Sequence, residues 1–237
     1  LAHLEIRDDA VLQRTDGTDV GRGTAHHALC FVADRDGIGA GYAYAVPFRK
    51  RPAYRYTLKH SIYVHHEHLN AGIGRRLLPA LIEAYQRMLR PRVLVYGSTT
   101  GVYGDAGGAR FDETRPVAPA TDRGRRRVDA EARLRAFGLQ TGAAVTLLRI
   151  PGIYAPDRAG GTPRERLQRG TPVLRKEDDV YTNHIHADDL ARACVLALWR
   201  GRPQRCLNVV DDTQLKMGDY FDLAADLYGR PRPPGFV

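Results

Sequence analysis

Long apolar runs, paired cysteines and a secretion signal are all missing from this sequence. Its longest apolar segment, "ARACVLALW", falls well short of the ~20 residues that a membrane helix needs, so we expect a buried helix there and no membrane partner. The cysteines at 30, 194 and 206 are widely separated and form no metal-binding pattern. Cysteine usage of this kind is typical of a reducing compartment, and no signal peptide is visible. We therefore predict a cytoplasmic protein without a metal site.

Net charge and chain length limit the kind of partner and the number of domains that we expect. The net charge is +9, but many of the arginines lie in "DRGRRRVDAEARLRAF", where acidic residues are interleaved with them. Such a segment is typical of a solvated helix face and argues against a nucleic-acid partner, because a basic balance alone concerns solubility and steering. The 237 residues, 43% of them hydrophobic, allow one large domain or two small ones with a real core. The chain begins with Leu1 rather than Met, so we expect a fragment.

The character of the sequence changes near Pro91. Before it, residues 4–14 predict a short helix, and alternating apolar residues around the Asp36-Gly37 turn predict a strand hairpin, followed by another strand and one helix. After it, strands and helices alternate, which is typical of a parallel α/β layer.

One glycine-rich stretch, "HLNAGIGRRLLPALIEAYQ", has the form of an anion site. Gly72 and Gly74 precede a helical pattern, and backbone N–H groups at a helix start attract anions. Arg75 and Arg76 add full positive charge. The alternative is a plain glycine turn before an amphipathic helix. Pro79 predicts that this helix either starts near Arg75 or bends at the proline, which is costly deep inside a helix.

A second stretch, "RVLVYGSTTGVYGDAGG", has three spaced glycines, Gly101, Gly104 and Gly107. A dinucleotide fingerprint needs a helix directly after its glycines, so that the pyrophosphate meets the helix N-terminus. Here "ARFDETRPVAP" follows, with two prolines and no helical period. We therefore predict that this spacing does not bind a dinucleotide.

The first part of the chain resembles the GNAT acyltransferases, and within them the phosphinothricin N-acetyltransferase type. The matching segments are "GYAYAVPFRKRPAYRYT", "SIYV" and "GIGRRLL", and the resemblance covers residues 4–88. It implies acetyl-CoA as the cofactor, a small-molecule amine as the substrate, and a pyrophosphate held by the glycine loop. It also implies that the "SIYV" backbone holds the thioester carbonyl, as oxyanion donors do. The residues so implicated in cofactor binding are Ile62, Val64, Gly72, Ile73, Gly74, Arg75 and Arg76.

This segment departs from the family pattern in several places. Leu69 stands where the family has Gln or Arg. The family's basic residue two before the central glycine is also absent, since Asn70 and Ala71 stand there. Lys59 aligns with the family's general base, and the adjacent His60 is our candidate for a base because imidazole titrates near neutral pH. The alternative for His60 is a surface histidine at a strand start. The family's later strands, with a tyrosine that protonates the leaving thiolate, do not follow Met88.

Residues 91–237 resemble the later portion of the extended short-chain dehydrogenase/reductases, the NAD-dependent epimerase/dehydratase proteins. The resemblance rests on "VLVYGSTTGVYGD", "LLRIPGIYAPDR" and "NHIHADDLARA". It implies that Thr99 is the catalytic Ser/Thr; the alternative is a hydroxyl that satisfies a strand end. Arg123 and Arg127 stand at the positions of the family's catalytic tyrosine and lysine, and arginine cannot exchange a proton at neutral pH.

We therefore predict an α/β protein made of two truncated segments. Residues 1–90 form a GNAT-like meander and helix, and residues 91–237 form a Rossmann-like parallel layer that lacks its NAD-binding start. The leading hypothesis is acetyl-CoA-dependent N-acetyl transfer to a small amine, and NAD(P) is not expected because the glycine fingerprint is absent. The alternatives are an NAD(P)-dependent epimerase or dehydratase of the sugar-nucleotide type and a non-catalytic fusion. Homo-oligomer formation is left open.

The strand Arg92–Ser98 has two alternative positions. In the GNAT family the helix after the glycine loop is followed by a parallel strand beside the "SIYV" strand, and Arg92–Ser98 occupies that place in the sequence. We favour this continuous sheet, because a helix between parallel strands is a strongly preferred crossover and an unpaired apolar strand edge is unfavourable. The alternative is a separate sheet with "AAVTLLRI" and "RCLNVV".

Overall fold

A computed structural model describes residues 4–8, 29–48, 57–85, 90–157 and 162–235 of the chain. The chain divides into two compact units, Leu1–Pro91 and Arg92–Val237. No helix within the described ranges is long and apolar enough to cross a membrane.

The first unit is built on a four-stranded antiparallel sheet with the order β1-β2-β3-β4. Its strands are β1 (Leu4–Asp8), β2 (Leu29–Arg35), β3 (Ile38–Pro47) and β4 (Leu58–Val64). The predicted hairpin at Asp36-Gly37 joins β2 to β3. Both turn residues have positive φ, 54° and 85°, as a tight two-residue hairpin turn requires.

The helix predicted for residues 4–14 is wrong where the structure describes it. Leu4–Asp8 is β1, which pairs along its whole length with β2, from Leu4 opposite Arg35 to Asp8 opposite Phe31. A short segment with apolar residues at alternate positions, here Leu4 and Ile6, suits a strand once a neighbouring strand offers its hydrogen bonds. Residues 9–14 lie outside the described residues.

The helix α1 (Ile73–Ala84) packs against β2, β3 and β4. The buried side chains alternate along the strands, so that one face of the sheet meets the helix. Small residues on the strands allow the helix to approach closely, and larger helix residues fill the space between them. The core residues concerned are Phe31, Ala33, Ala43, Ala45, Leu77 and Leu81.

Gly41 on β3 lets this close packing occur. A Cβ atom built at Gly41 would lie 2.7 Å from the carbonyl oxygen of Tyr63 and 3.0 Å from Cγ2 of Ile73. We expect Gly41→Ala to lower the free energy of unfolding by about 1–3 kcal/mol, because backbone must move to admit the methyl group. Urea denaturation would measure it. Gly39→Ala on the same strand is the matched control, because its Cβ would have nothing within 4 Å. Equal effects of the two substitutions would contradict the packing role.

The second unit contains a three-stranded parallel sheet with the order β5-β6-β9. Its strands are β5 (Val93–Thr99), β6 (Ala144–Ile150) and β9 (Arg205–Asn208). The helix α2 (Asp122–Thr141) connects β5 to β6 and packs against both, and α4 (Ala187–Arg200) packs against β5. The sheet is predominantly apolar inside, as expected for parallel strands covered by helices.

A smaller part of the second unit lies outside this sheet. The strands β7 (Gly152–Tyr154) and β8 (His184–His186) form a parallel pair. Two helices, α3 (Arg164–Gln168) and α5 (Met217–Leu227), pack against each other around Leu167 and Phe221.

The continuous sheet predicted across both segments is wrong. β5 pairs with β6 along its whole length, from Val93 opposite Ala144 to Thr99 opposite Ile150, and the four-stranded sheet ends at β4 within the described residues. The competing arrangement is therefore correct. The reason is that β6 is buried over most of its length and is connected to β5 by the crossover helix α2. Pairing of β5 with β6 therefore buries more apolar surface than pairing with β4 would.

Candidate functional site

The glycine loop leads directly into α1. A 3₁₀ turn, His66–His68, precedes the loop, and Gly72 occupies the N-cap position of the helix. Gly72 has φ 74°, and no described side chain caps this N-terminus. The helix begins at Ile73, two residues before Arg75, which excludes a late start, the first of the two alternatives given for Pro79. Pro79 lies inside the helix, where burial of neighbours such as Leu77 and Leu81 offsets its lost hydrogen bond.

Open space surrounds the loop glycines. A Cβ at Gly72 would have nothing within 4 Å, and one at Gly74 would meet only Cγ2 of Val64, at 3.8 Å. Arg75 and Arg76 are exposed, and Ile73 is buried at the base of the helix. An uncapped helix N-terminus, open space above its first turn and two exposed arginines are what a pyrophosphate needs. The residues present therefore fit the phosphates of CoA.

The strand β4 brings the other predicted residues to the same place. Val64 ends β4 beside Gly74, and Ile62 shares its face of the strand, both half-buried. Among the described residues, β4 is an outer strand of its sheet and pairs with β3 alone. The structure thus joins the strand end and the helix start that the GNAT resemblance associates with the cofactor.

His60 also lies on β4, and its ring packs against Tyr85. The two ring centroids are 5.8 Å apart with an edge-on geometry, and the Nδ1 atom of His60 is buried without a hydrogen-bond partner. Burial lowers the pKa of His60 below the usual 6.5, so the imidazole is neutral at pH 7. A neutral ring has the protonation state that a base requires. Lys59, the neighbouring residue on β4, has an exposed side chain.

The second glycine stretch is placed differently. Its first glycine lies in a 3₁₀ turn, Thr100–Tyr103, and the next α-helix, α2, begins only at Asp122. Gly104 has φ 69° and ψ −151°, and a Cβ there would collide with the carbonyl oxygen of Ala118. This glycine is needed for close packing of two loop segments, and the stretch does not form a helix-capped pyrophosphate site.

Thr99 and its neighbour Ser98 have structural partners. The Oγ1 atom of Thr99 accepts a hydrogen bond from the backbone N–H of Gly101 at 3.2 Å, and so caps the 3₁₀ turn. The hydroxyl of Ser98 donates to Glu131 at 2.5 Å inside the protein. The contact of Thr99 agrees with the alternative that we gave for it, a hydroxyl that satisfies a strand end, and its catalytic role stays a prediction.

The two arginines on α2 differ in their surroundings. Arg123 is exposed. Arg127 donates from Nη1 to the Tyr96 hydroxyl at 2.8 Å and to the Gly97 carbonyl at 3.1 Å, and its guanidinium lies over the Tyr96 ring. The position that the resemblance assigns to a catalytic lysine is therefore occupied by a cation bound to the end of β5.

A buried ion pair, Glu131 with Arg149, was not predicted from the sequence. The two side chains are 4% and 6% exposed and are joined by two hydrogen bonds, of 2.7 and 3.2 Å. Burial acts to lower the pKa of Arg149, but the hydrogen bonds to Glu131 and Tyr103 and the negative charge of Glu131 together raise that pKa. The guanidinium also lies 4.7 Å from the ring centroid of Tyr103, whose hydroxyl donates to Asn208. The only signal in the sequence is an arginine within the apolar strand "AAVTLLRI".

Two family models match the chain. The NAD dependent epimerase/dehydratase family matches residues 59–209, which is more than half of the chain, and the acetyltransferase (GNAT) family matches residues 4–96. Residues 59–96 are matched by both.

Curated relatives cover the GNAT-like part. Phosphinothricin N-acetyltransferase of Alcaligenes faecalis is 51% identical over 51 residues, which is 22% of this chain and 26% of that protein. L-methionine sulfoximine/L-methionine sulfone acetyltransferase of Salmonella typhimurium is 41% identical over 56 residues, which is 24% of this chain and 33% of that protein. The chain thus matches about a quarter to a third of the length of these relatives.

Solved structures resemble the chain over a larger part. A conserved protein of unknown function from Silicibacter pomeroyi is 35% identical with a TM-score of 0.57, over 67% of this chain and 55% of that one. UDP-glucuronic acid 4-epimerase from Bacillus cereus, solved with NAD, is 19% identical with a TM-score of 0.57, over 68% of this chain and 54% of that one, and shows the fold alone. The chain carries a GNAT acetyltransferase segment at its N-terminal end and, with the larger match, belongs to the NAD dependent epimerase/dehydratase family.

Proposed function

We propose that the first unit binds acetyl-CoA and transfers its acetyl group to the amine of a small molecule. The observation that carries this proposal is the open, uncapped N-terminus of α1 beside the end of the outer strand β4. Helix dipole and backbone N–H groups favour a pyrophosphate there, and Arg75 and Arg76 strengthen the attraction. The GNAT family match over residues 4–96 supports the same assignment.

The curated relatives indicate the substrate class. Their names describe acetylation of phosphinothricin and of L-methionine sulfoximine and L-methionine sulfone. We propose that this chain acts on an α-amino acid or a close analogue, in the reducing cytosol.

The chemical roles follow from the residues on β4. Acetyl-CoA supplies an acetyl group activated as a thioester. As the amine nitrogen bonds to the acetyl carbon, the C–S bond of the thioester breaks and CoA leaves as a thiolate, which takes a proton from solvent to give the free thiol. The amine must lose a proton in the same reaction, and His60, neutral at pH 7, is the group on this strand that can accept it. Backbone N–H groups of Ile62 and Val64 are suited to stabilise negative charge on the carbonyl oxygen.

We propose that the second unit does not carry out hydride transfer. Arg123 and Arg127 occupy the positions of the acid/base pair, and a guanidinium cannot give up its proton at neutral pH. Thr99 caps a turn, and Gly104, which follows it, packs against the loop segment at Ala118. These features favour a retained scaffold over a retained active site.

Titration calorimetry with acetyl-CoA and with NAD tests this proposal. We expect acetyl-CoA to bind and NAD to give no heat of binding at the same concentrations. Release of free thiol on addition of L-methionine sulfoximine would then test the transfer itself, with acetyl-CoA alone as the control. Tight binding of NAD without binding of acetyl-CoA would reverse the assignment.

A further inference from the structure

A cavity of about 380 Å³ lies in the second unit, and its lining does not include Thr99, Arg123 or Arg127. It is bordered by β7, the end of β8 and the exposed side of α5. The lining is almost entirely apolar or aromatic, and none of the described residues that line it is Lys, Arg, Asp or Glu. The lining residues that carry the argument are Tyr154, His186, Tyr220, Leu223, Leu227 and Tyr228.

Aromatic rings form the walls of this cavity. Tyr154 and His186 meet edge to face, with centroids 5.2 Å apart at 72°. Behind the wall, His184 stacks on Tyr220 with centroids 4.4 Å apart at 19°. Tyr228 is 40% exposed, so its ring is accessible from solvent. Several π faces and edges are thus held in place around one space.

Carboxylates lie near the part of the aromatic wall that β7 and β8 provide. The carboxylate of Asp188 lies 3.8 Å from Nδ1 of His186, and the backbone N–H of Asp211 donates to the His184 carbonyl at 2.7 Å. Burial and then the charges of Asp211, Asp189 and Asp212 raise the pKa of Tyr154. Of these carboxylates, Asp189 has a cationic partner, Arg192, at 2.6 Å.

We propose that this cavity binds a small organic cation with an apolar body, of the alkylammonium class. The faces of Tyr rings attract cations, and apolar walls accommodate the alkyl groups of such a ligand better than a hydrated metal ion. The surrounding carboxylates favour positive charge in the cavity without contacting the ligand directly. The inference is independent of acetyl transfer by the first unit.

Two histidines lie at the cavity, His186 in its lining and His184 stacked behind Tyr220. His184 is half-buried, and burial lowers its pKa while Asp211 acts in the opposite direction, with a lowered net value. The Nδ1 atom of His186 accepts a hydrogen bond from the backbone N–H of Asp188 at 3.2 Å. Among the described residues, the lining therefore contributes no Lys or Arg that would repel a cationic ligand.

Choline and its neutral carbon isostere, 3,3-dimethyl-1-butanol, provide the test. The two probes have the same shape and differ in charge. We expect the full-length protein at pH 8 to bind choline at least tenfold more tightly than the isostere, by calorimetry or ligand-observed NMR. Equal affinities would show an apolar cavity without cation recognition, and absence of choline binding would overturn the proposal outright.

Matched variants then locate the site. Tyr154→Leu removes a ring and should reduce choline affinity at least fivefold, whereas Tyr154→Phe keeps the ring and should bind like the parent. Asp211→Asn keeps a side-chain oxygen able to accept from Thr213, as Asp211 does, but removes the charge, and should weaken choline alone. Unchanged choline affinity in both Tyr154→Leu and Asp211→Asn would place the binding elsewhere and refute the cavity assignment.

Discussion

Gly74→Asp is expected to weaken acetyl-CoA binding by roughly 30- to 1,000-fold while leaving the protein as stable as before. The new carboxylate would stand on the first turn of α1, where its Cβ meets only Val64 Cγ2 at 3.8 Å. Repulsion between this carboxylate and a nearby phosphate is worth about 2–4 kcal/mol at intermediate dielectric. The same carboxylate interacts favourably with the helix dipole, by about 0.3–1 kcal/mol, so the free energy of unfolding should not fall.

The matched control for this prediction is Gly74→Asn, which has nearly the same shape and no charge. It should keep most of the affinity, so the difference between Asp and Asn isolates electrostatics from steric effects. Gly72 is a poorer position for the experiment, because its φ of 74° strains any side chain placed there. Calorimetry measures affinity and thermal unfolding measures stability. If Asp and Asn variants bind acetyl-CoA equally, the loop is only a turn.

Glu131→Gln is expected to destabilise the second unit by about 3–5 kcal/mol. The substitution leaves the buried guanidinium of Arg149 without a counter-charge, and an uncompensated buried charge is strongly unfavourable. Gln keeps one oxygen that can accept from Ser98, but its amide NH2 cannot accept from Nη2 of Arg149, so the attachment of α2 to β6 is weakened while the bond to β5 can persist. Hydrogen exchange of peptides from these three elements would measure the loss.

Two controls separate the charge effect from general damage. Replacing both partners, as Glu131→Leu with Arg149→Met, should recover much of the stability, because no charge is then left buried. Asp129→Asn removes the partner of Arg133 on the same helix, a half-exposed pair at 3.0 Å, and should cost less than about 1 kcal/mol. Peptides from the first unit serve as an internal reference. A loss below 1 kcal/mol for Glu131→Gln would show that the buried pair is not needed.

The sequence alone determined those features that depend on neighbours in the chain. The Asp36-Gly37 hairpin follows from two residues that tolerate positive φ, and the glycine loop before α1 follows from Gly72, which the structure confirms at φ 74°. The change from a meander to alternating strands and helices near Pro91 is likewise readable from local periodicity, as is the mixed α/β class. Both family resemblances rest on short segments of this kind.

Tertiary structure decided everything that requires a distant partner. Leu4–Asp8 forms a strand because β2, more than twenty residues away in the sequence, supplies its hydrogen-bond partners. β5 pairs with β6 rather than with β4 because that pairing buries a more apolar strand. Ser98 and Glu131 are 33 residues apart in the sequence, and Glu131 and Arg149 are 18 apart. No local sequence pattern therefore predicts the Glu131–Arg149 ion pair. Periodicity shows which face of an element is apolar, but it does not show which other element covers that face, because the free energy of burial depends on the assembled surroundings.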